Sequence, residues 1–274
     1  MPTASCWDVI FNAGSTQTVL GVGFPDWKRH EAGFAELASR IGSRYRFLRA
    51  RPVTVPPGRR LSGDEYILPW TEGARQDGHP TRAVLGYCVG GIYASAIAEC
   101  ISQWQPEPDI ILFDPQFTSM KFLGLELRKE ISSISSLLSD DEIERAGKIA
   151  SEISESKPVD VVQAAADAVE SYLEVIAAAF ERTGLGDPRG SKLNEGFKWY
   201  MTWLSVAAEL DPGRALKKST VILSCDYDGL PGRMFLDDDV DRLAGRCIVC
   251  NVGHADLLRS DTVAKEVLDL LESR

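Results

Sequence analysis

The stretch Gly86-Tyr87-Cys88-Val89-Gly90-Gly91 combines residue types and spacing that can do chemistry. Residues 84–86 read as the end of a buried strand and Ile92 to Gln103 as a helix, with Cys88 in the turn between them. Glycine at 86 and 90 is what such a turn needs where strand and helix lie so close that a side chain would clash. The small residues Ala94, Ser95, Ala96 and Ala98 let the helix lie against a sheet, and its N-terminus aims N–H groups and a partial positive charge at the sulfur. Both effects favour thiolate over thiol. The competing reading is a small buried hydrophobe. The two are separated by whether an acid and a histidine follow at the right places.

They do follow. Of the three histidines, His30 opens a helix and His79 lies in the loop Gly78-His79-Pro80, whereas His254 follows the last strand in Val252-Gly253-His254. A general base belongs there. Two places can supply the acid: Asp114 comes immediately after the strand Asp109 to Phe113, and Asp226 and Asp228 come after the strand Ser219 to Cys225. A carboxylate in either place can fix the imidazole tautomer and stabilise the imidazolium. Asp114 is the expected acid, with Asp226 and Asp228 as the alternatives. The expected oxyanion hole is the N–H of Val89 plus an amide from Asp26 or Trp27, since Pro25 has no N–H to give.

The elements that must position these groups alternate. Trp7 to Asn12 reads as an edge strand, Thr16 to Phe24 as a buried one and Tyr45 to Val53 as a third, with an amphipathic helix from Glu31 to Ile41 between the last two. Glu65 to Trp70 reads as a weak helix or turn, and Arg82 to Gly86 as the strand before Cys88. After Pro212-Gly213 come a short helix at Asp238 to Leu243, a final strand Arg246 to Val252 and a helix Ser260 to Leu271. Short connections between alternating strands and helices imply a mostly parallel sheet covered on both faces, the α/β class. Residues 120–210 carry no strand signal and read as an inserted helical lid, leaving 1–119 and 211–274 as the core. Asp140-Asp141-Glu142 and Pro158 mark helix starts within the insertion. Its last helix bears Phe197, Trp199, Tyr200 and Trp203, which either line an apolar substrate pocket together with Tyr87 or pack the lid on the core.

Forty acidic against thirty basic residues give a net charge of -10, which repels a phosphate backbone and makes nucleic acid a poor partner. Arg59-Arg60, Lys121, Arg128-Lys129 and Lys217-Lys218 are either a local basic patch for an acidic protein partner or solvated surface charge. The chain has no secretory leader pattern and no membrane-length apolar run, so a cytoplasmic location is expected. Six cysteines spread over the chain, several in apolar strand-like runs, read as reduced buried thiols. Cys247 and Cys250 would point to opposite faces of one strand, so no metal site is expected.

Taken together, Gly86-Tyr87-Cys88-Val89-Gly90-Gly91, Phe113-Asp114, Gly253-His254, Phe24-Pro25 and the helical insertion resemble an α/β-hydrolase thioesterase of polyketide and nonribosomal-peptide pathways. Cysteine where such enzymes carry serine is similar to the Dieckmann cyclases that release tetramic acids and pyridones. The resemblance implies an α/β-hydrolase fold and Cys88, Asp114 and His254 as nucleophile, acid and base. It implies no bound cofactor, but a substrate presented as a phosphopantetheine thioester on a peptidyl or acyl carrier protein. The acyl chain would leave by carbon–carbon bond formation. A hydrolytic or macrocyclising thioesterase of the same fold and a non-catalytic acyl-binding relative are the alternatives.

Overall fold

In the computed structural model, the described residues are 6–12, 14–24, 31–42, 44–53, 55, 60–155, 160–184, 189–211, 216–230, 232–233 and 244–273, with the side chains of 189–193 excepted. The contacts divide the chain into two compact units, Met1–Phe117 with Glu209–Arg274, and Thr118–Ala208.

The first unit is built on one sheet. Its strands are β1 (Trp7–Phe11), β2 (Thr18–Val22), β3 (Arg46–Ala50), β4 (Thr81–Tyr87), β5 (Asp109–Phe113), β6 (Thr220–Leu223) and β7 (Arg246–Val249), in the spatial order β1-β3-β2-β4-β5-β6-β7. β1 runs antiparallel to β3, and every other neighbouring pair is parallel. The parallel strands β2, β4, β5 and β6 are largely buried and rich in Val, Ile and Leu, as a sheet covered on both faces requires, while β7 lies at the edge.

Helix α1 (Phe34–Ile41) links β2 to β3 and buries Phe34, Leu37, Ala38 and Ile41. It shares a face of the sheet with the C-terminal helix of this unit, which buries Val263, Ala264, Val267 and Leu271, and with Ala83, Leu85 and Tyr87 of β4. Truncating a wholly buried member such as Leu37 to Ala should cost about 2–5 kcal/mol. The opposite face of β4 meets α3 (Gly90–Ile101), since a Cβ on Gly86 would lie 2.8 Å from the Ala94 Cβ.

Helix α2 (Gly63–Asp77) joins β3 to β4 and is longer than the weak helix or turn expected at 65–70. Ser62 and Glu65 cap it reciprocally, at 3.3 and 2.9 Å, and Gly78 ends it in a left-handed conformation. Pro69 inside it removes one helical hydrogen bond. Burial outweighs that loss: Tyr66, Ile67, Trp70 and Ala74 are buried, and the Tyr66, Trp70 and Tyr93 rings pack at 5.4–5.7 Å between centroids.

The order of the strands reverses between β2 and β4. The chain leaves β2 toward one face of the sheet and leaves β4 toward the other, so a crevice opens beyond the C-terminal ends of these two strands. In an open parallel sheet that is where ligands bind.

The second unit contains α4 (Met120–Ser133), α5 (Asp140–Glu155), α6 (Val161–Thr183) and α7 (Arg189–Ala207). The Asp160 side chain caps α6 by accepting from the N–H groups of Val162 and Gln163 at 2.9 and 3.2 Å. α4 and α5 touch through Gly124, where an added Cβ would lie 2.4 Å from the Ala150 carbonyl oxygen. Two phenols donate to carboxylates of α4: Tyr200 to Glu126 at 2.9 Å, and Tyr172 to Glu130 at 2.9 Å. We number the C-terminal helix Asp261–Glu272 of the first unit α8. Among the described residues no helix is long and apolar enough to cross a membrane.

Candidate active site

Cys88 directly follows β4 and has a φ of +56°, a left-handed conformation that strains a residue bearing a side chain. Three glycines make this turn possible. A Cβ on Gly90 would lie 2.2 Å from the Val22 carbonyl oxygen, and one on Gly86 would lie 2.5 Å from the Gly91 Cα. Strand β2, strand β4 and helix α3 therefore meet with no room for side chains. The Cys88 N–H still donates to the Phe113 carbonyl of β5 at 3.0 Å, and its carbonyl accepts from Gly91 and Gln116. The backbone is held on both sides while the half-buried thiol is presented at the start of α3.

Asp114 repeats this device one strand further along. It has a φ of +42°, and its N–H donates to the Ile222 carbonyl of β6 at 3.0 Å. Its side chain is wholly buried: Oδ1 accepts from the Ser224 N–H at 2.8 Å and Oδ2 faces the His254 Nδ1 at 2.7 Å. With Nδ1 committed to Asp114, Nε2 is the ring atom left to face Cys88. Burial, the largest single influence on this imidazole, pushes its pKa down. The hydrogen bond to Asp114, the neighbouring Cys88 and the charges of both outweigh it, and the ring is pushed up from its ordinary 6.5 to about 10. The arrangement favours an imidazolium at His254.

The two alternative acids have other partners. Asp226 accepts the His254 main-chain N–H at 2.8 Å, so it holds the residue's backbone and leaves the ring to Asp114. Asp228 is solvent-exposed and pairs with Arg233. Val89 begins the turn into α3, and its N–H has no hydrogen-bond partner among the described residues, as an oxyanion donor requires. Asp26 and Trp27 lie outside the described residues, as do His30, Arg59 and the helix expected at 238–243. His79 is on the surface beside Asp77.

Tyr87 is buried. Its ring stacks on the His254 imidazole, with centroids 4.8 Å apart and planes 13° off parallel, and its hydroxyl donates to the His254 carbonyl at 3.0 Å. It also lines a recess with Gly23, Phe24 and Phe34. Tyr200 and Trp203 are buried and Trp199 is exposed. The Tyr200 phenol is bonded to Glu126 inside the helical unit. Most of the basic residues considered for a partner patch are already engaged: Arg60 with Glu209, Lys129 with Glu126, Lys218 with Glu107, and Arg128 with Ser151. The cysteines differ from the expectation of buried thiols. Only Cys250 is fully buried and Cys225 is exposed, because several of these residues fall at strand ends or on the edge strand β7. Among the described residues no group of three His, Cys, Asp or Glu side chains could hold a metal ion.

The sheet order, the turn at Cys88 and the buried Asp114–His254 pair define an α/β-hydrolase fold. Solved structures with a similar fold include thioesterase domains and a nonribosomal peptide synthetase. The NocB thioesterase domain in covalent complex with a fluorophosphonate nocardicin G analogue is 14% identical, with a TM-score of 0.53 over 94% of this chain and 95% of that one. The Vlm2 thioesterase domain carrying genetically encoded 2,3-diaminopropionic acid and bound with a dodecadepsipeptide is 14% identical, with a TM-score of 0.51 over 98% and 97%. Holo-AB3403, a four-domain nonribosomal peptide synthetase bound to AMP and glycine, is 12% identical, with a TM-score of 0.60 over 98% of this chain and 20% of that one. No protein-family model and no curated protein matches the chain.

Proposed function

We propose that the protein is a Dieckmann cyclase that releases an N-(β-ketoacyl)aminoacyl chain from the phosphopantetheine of a carrier protein as a tetramic acid or related ring. The observation that carries the reading is a cysteine, where serine is usual, in the strained turn beside the hydrogen-bonded His254–Asp114 pair. A serine would hold the acyl chain as a resonance-stabilised oxoester. Cys88 holds it as a thioester, whose carbonyl is the better acceptor for carbon.

The sequence of steps follows from the charges. The Cys88 thiolate attacks the pantetheine thioester, the Val89 N–H receives the developing oxyanion, and the leaving thiolate takes the proton from His254. Acylation removes the negative charge of Cys88, one of the influences that keep His254 protonated. The neutral imidazole, its tautomer fixed by Asp114, then takes a proton from the methylene between ketone and amide. The carbanion attacks the Cys88 thioester, the C–C bond forms, the C–S bond breaks, and thiolate and imidazolium are restored. Thioesterase domains such as NocB and Vlm2 favour a second reading, in which water, an amine or a hydroxyl replaces the carbanion as acceptor.

Mass spectrometry after incubation with a synthetic N-acetoacetyl-aminoacyl thioester separates these. A tetramate that forms with the wild type and is lost with Cys88→Ala supports the cyclase. Free acid as the main product makes the protein a hydrolase, and the absence of both turnover and an acyl adduct on Cys88 leaves a binding protein.

A further inference from the structure

Cys88 and His254 lie 166 residues apart in the chain, yet they must keep one hydrogen-bonding distance through acylation and ring closure. Asp114 fixes only the far nitrogen of the ring. The main chain of His254 is held at both of its polar atoms by side chains, its N–H by Asp226 at 2.8 Å and its carbonyl by the Tyr87 hydroxyl at 3.0 Å. The face of the imidazole is covered by the Tyr87 ring, 4.8 Å away between centroids. Tyr87 is the last residue of β4, on the same sheet face as α1 and α8, and is peptide-bonded to Cys88.

We propose that Tyr87 is a positioning residue that ties the base to the nucleophile, its hydroxyl setting the height of the His254 backbone and its ring holding the imidazole plane and stabilising the imidazolium. The proposal rests on Cys88 and His254 being the nucleophile and base. A cation lying flat on an aromatic face is favoured over the neutral ring, so Tyr87 acts in the same direction as Asp114 and Cys88. Around this turn Glu31 lines the recess beside Tyr87, and Arg49, also in that recess, pairs with Asp8. Glu36 of α1 accepts from the Gly33 N–H, Arg40 of α1 pairs with Asp261 of α8, and Asp256 pairs with Arg259 on the histidine's own turn. Nothing in the residue types of the chain signals this role beyond an aromatic residue directly before the nucleophile.

The test uses the full chain labelled with 15N-histidine, whose three imidazoles are few enough to resolve. The titration of His254 is followed in wild type, Tyr87→Phe and Tyr87→Met, beside the pH dependence of Cys88 alkylation by iodoacetamide. Tyr87→Met, which keeps side-chain bulk and removes the aromatic face, should lower the His254 midpoint by about half a pH unit or more. It should also slow alkylation near neutral pH. Tyr87→Phe keeps the face and should leave the midpoint in place while lowering kcat about three- to tenfold at unchanged KM. A folded Tyr87→Met protein with the wild-type midpoint and alkylation rate would overturn the proposal. If that variant does not fold, a Tyr87→Phe protein with wild-type kcat overturns it instead. Titration and alkylation need no turnover, so they report on Tyr87 independently of the acceptor chemistry. Failure of the nucleophile assignment itself would show as a wild-type protein that carries no acyl group on Cys88.

Discussion

The C-terminal ends of β4 and β5 and the helical unit hold their polar residues by opposite means. At the strand ends the main chain does it: Cys88 and Asp114 both adopt positive φ while their N–H groups stay bonded to the next strand, and glycines 86 and 90 leave no space for any other path. In Thr118–Ala208 side chains do it, through Tyr200 to Glu126 and Tyr172 to Glu130, on regular helices. In the first region the path of the backbone is what the packing cannot give up. In the second, apart from the close contact at Gly124, the paired side chains carry the cost of deletion.

The largest expected effect breaks the first arrangement. Gly90→Ala places a methyl 2.2 Å from a backbone oxygen and should cost about 3 kcal/mol or more, read from denaturant unfolding. A variant of wild-type stability would mean that the elbow is not close-packed.

The next effect depends on pH. Because the folded His254 is pushed up to about 10 from 6.5, its contribution to stability is complete below pH 6.5 and is lost as pH rises through about 10. The Tm difference between wild type and His254→Gln should therefore be greatest near pH 6 and shrink toward pH 10. A difference that grows with pH would remove the imidazolium from the argument.

In the helical unit, Tyr200→Phe removes the phenol's hydrogen bond to the buried Glu126 carboxylate and should cost about 1–3 kcal/mol. The smallest effect has the opposite sign. Gly147→Ala in α5, where an added Cβ meets nothing within 4 Å, should raise stability by about 0.5–1 kcal/mol. Its contrast with Gly90→Ala tests the comparison within a single residue type.

The same division explains what could be read from the sequence. The turn at Cys88 was legible because close packing demands glycine, and Gly86, Gly90 and Gly91 are visible without coordinates. The parallel sheet was legible because its strands are continuous apolar runs. The choice among Asp114, Asp226 and Asp228 was legible only as a preference for Asp114, since all three follow strands and the contact of Asp114 with the ring is a matter of its positive-φ backbone. The backbone role of Asp226 and the stacking of Tyr87 on His254 depend on contacts 28 and 167 residues apart, which no local pattern encodes. Pro69 concealed the length of α2, because the buried Tyr66 and Trp70 that override it act through tertiary packing.

The glycine-built elbow also has a genetic consequence. Because residues 86, 90 and 91 dictate the path of the backbone, residue 88 can exchange sulfur for oxygen without refolding anything around it. Cysteine and serine codons differ by one base. With Cys88 in the nucleophile role proposed above, the scaffold would keep ester and thioester chemistry one point mutation apart.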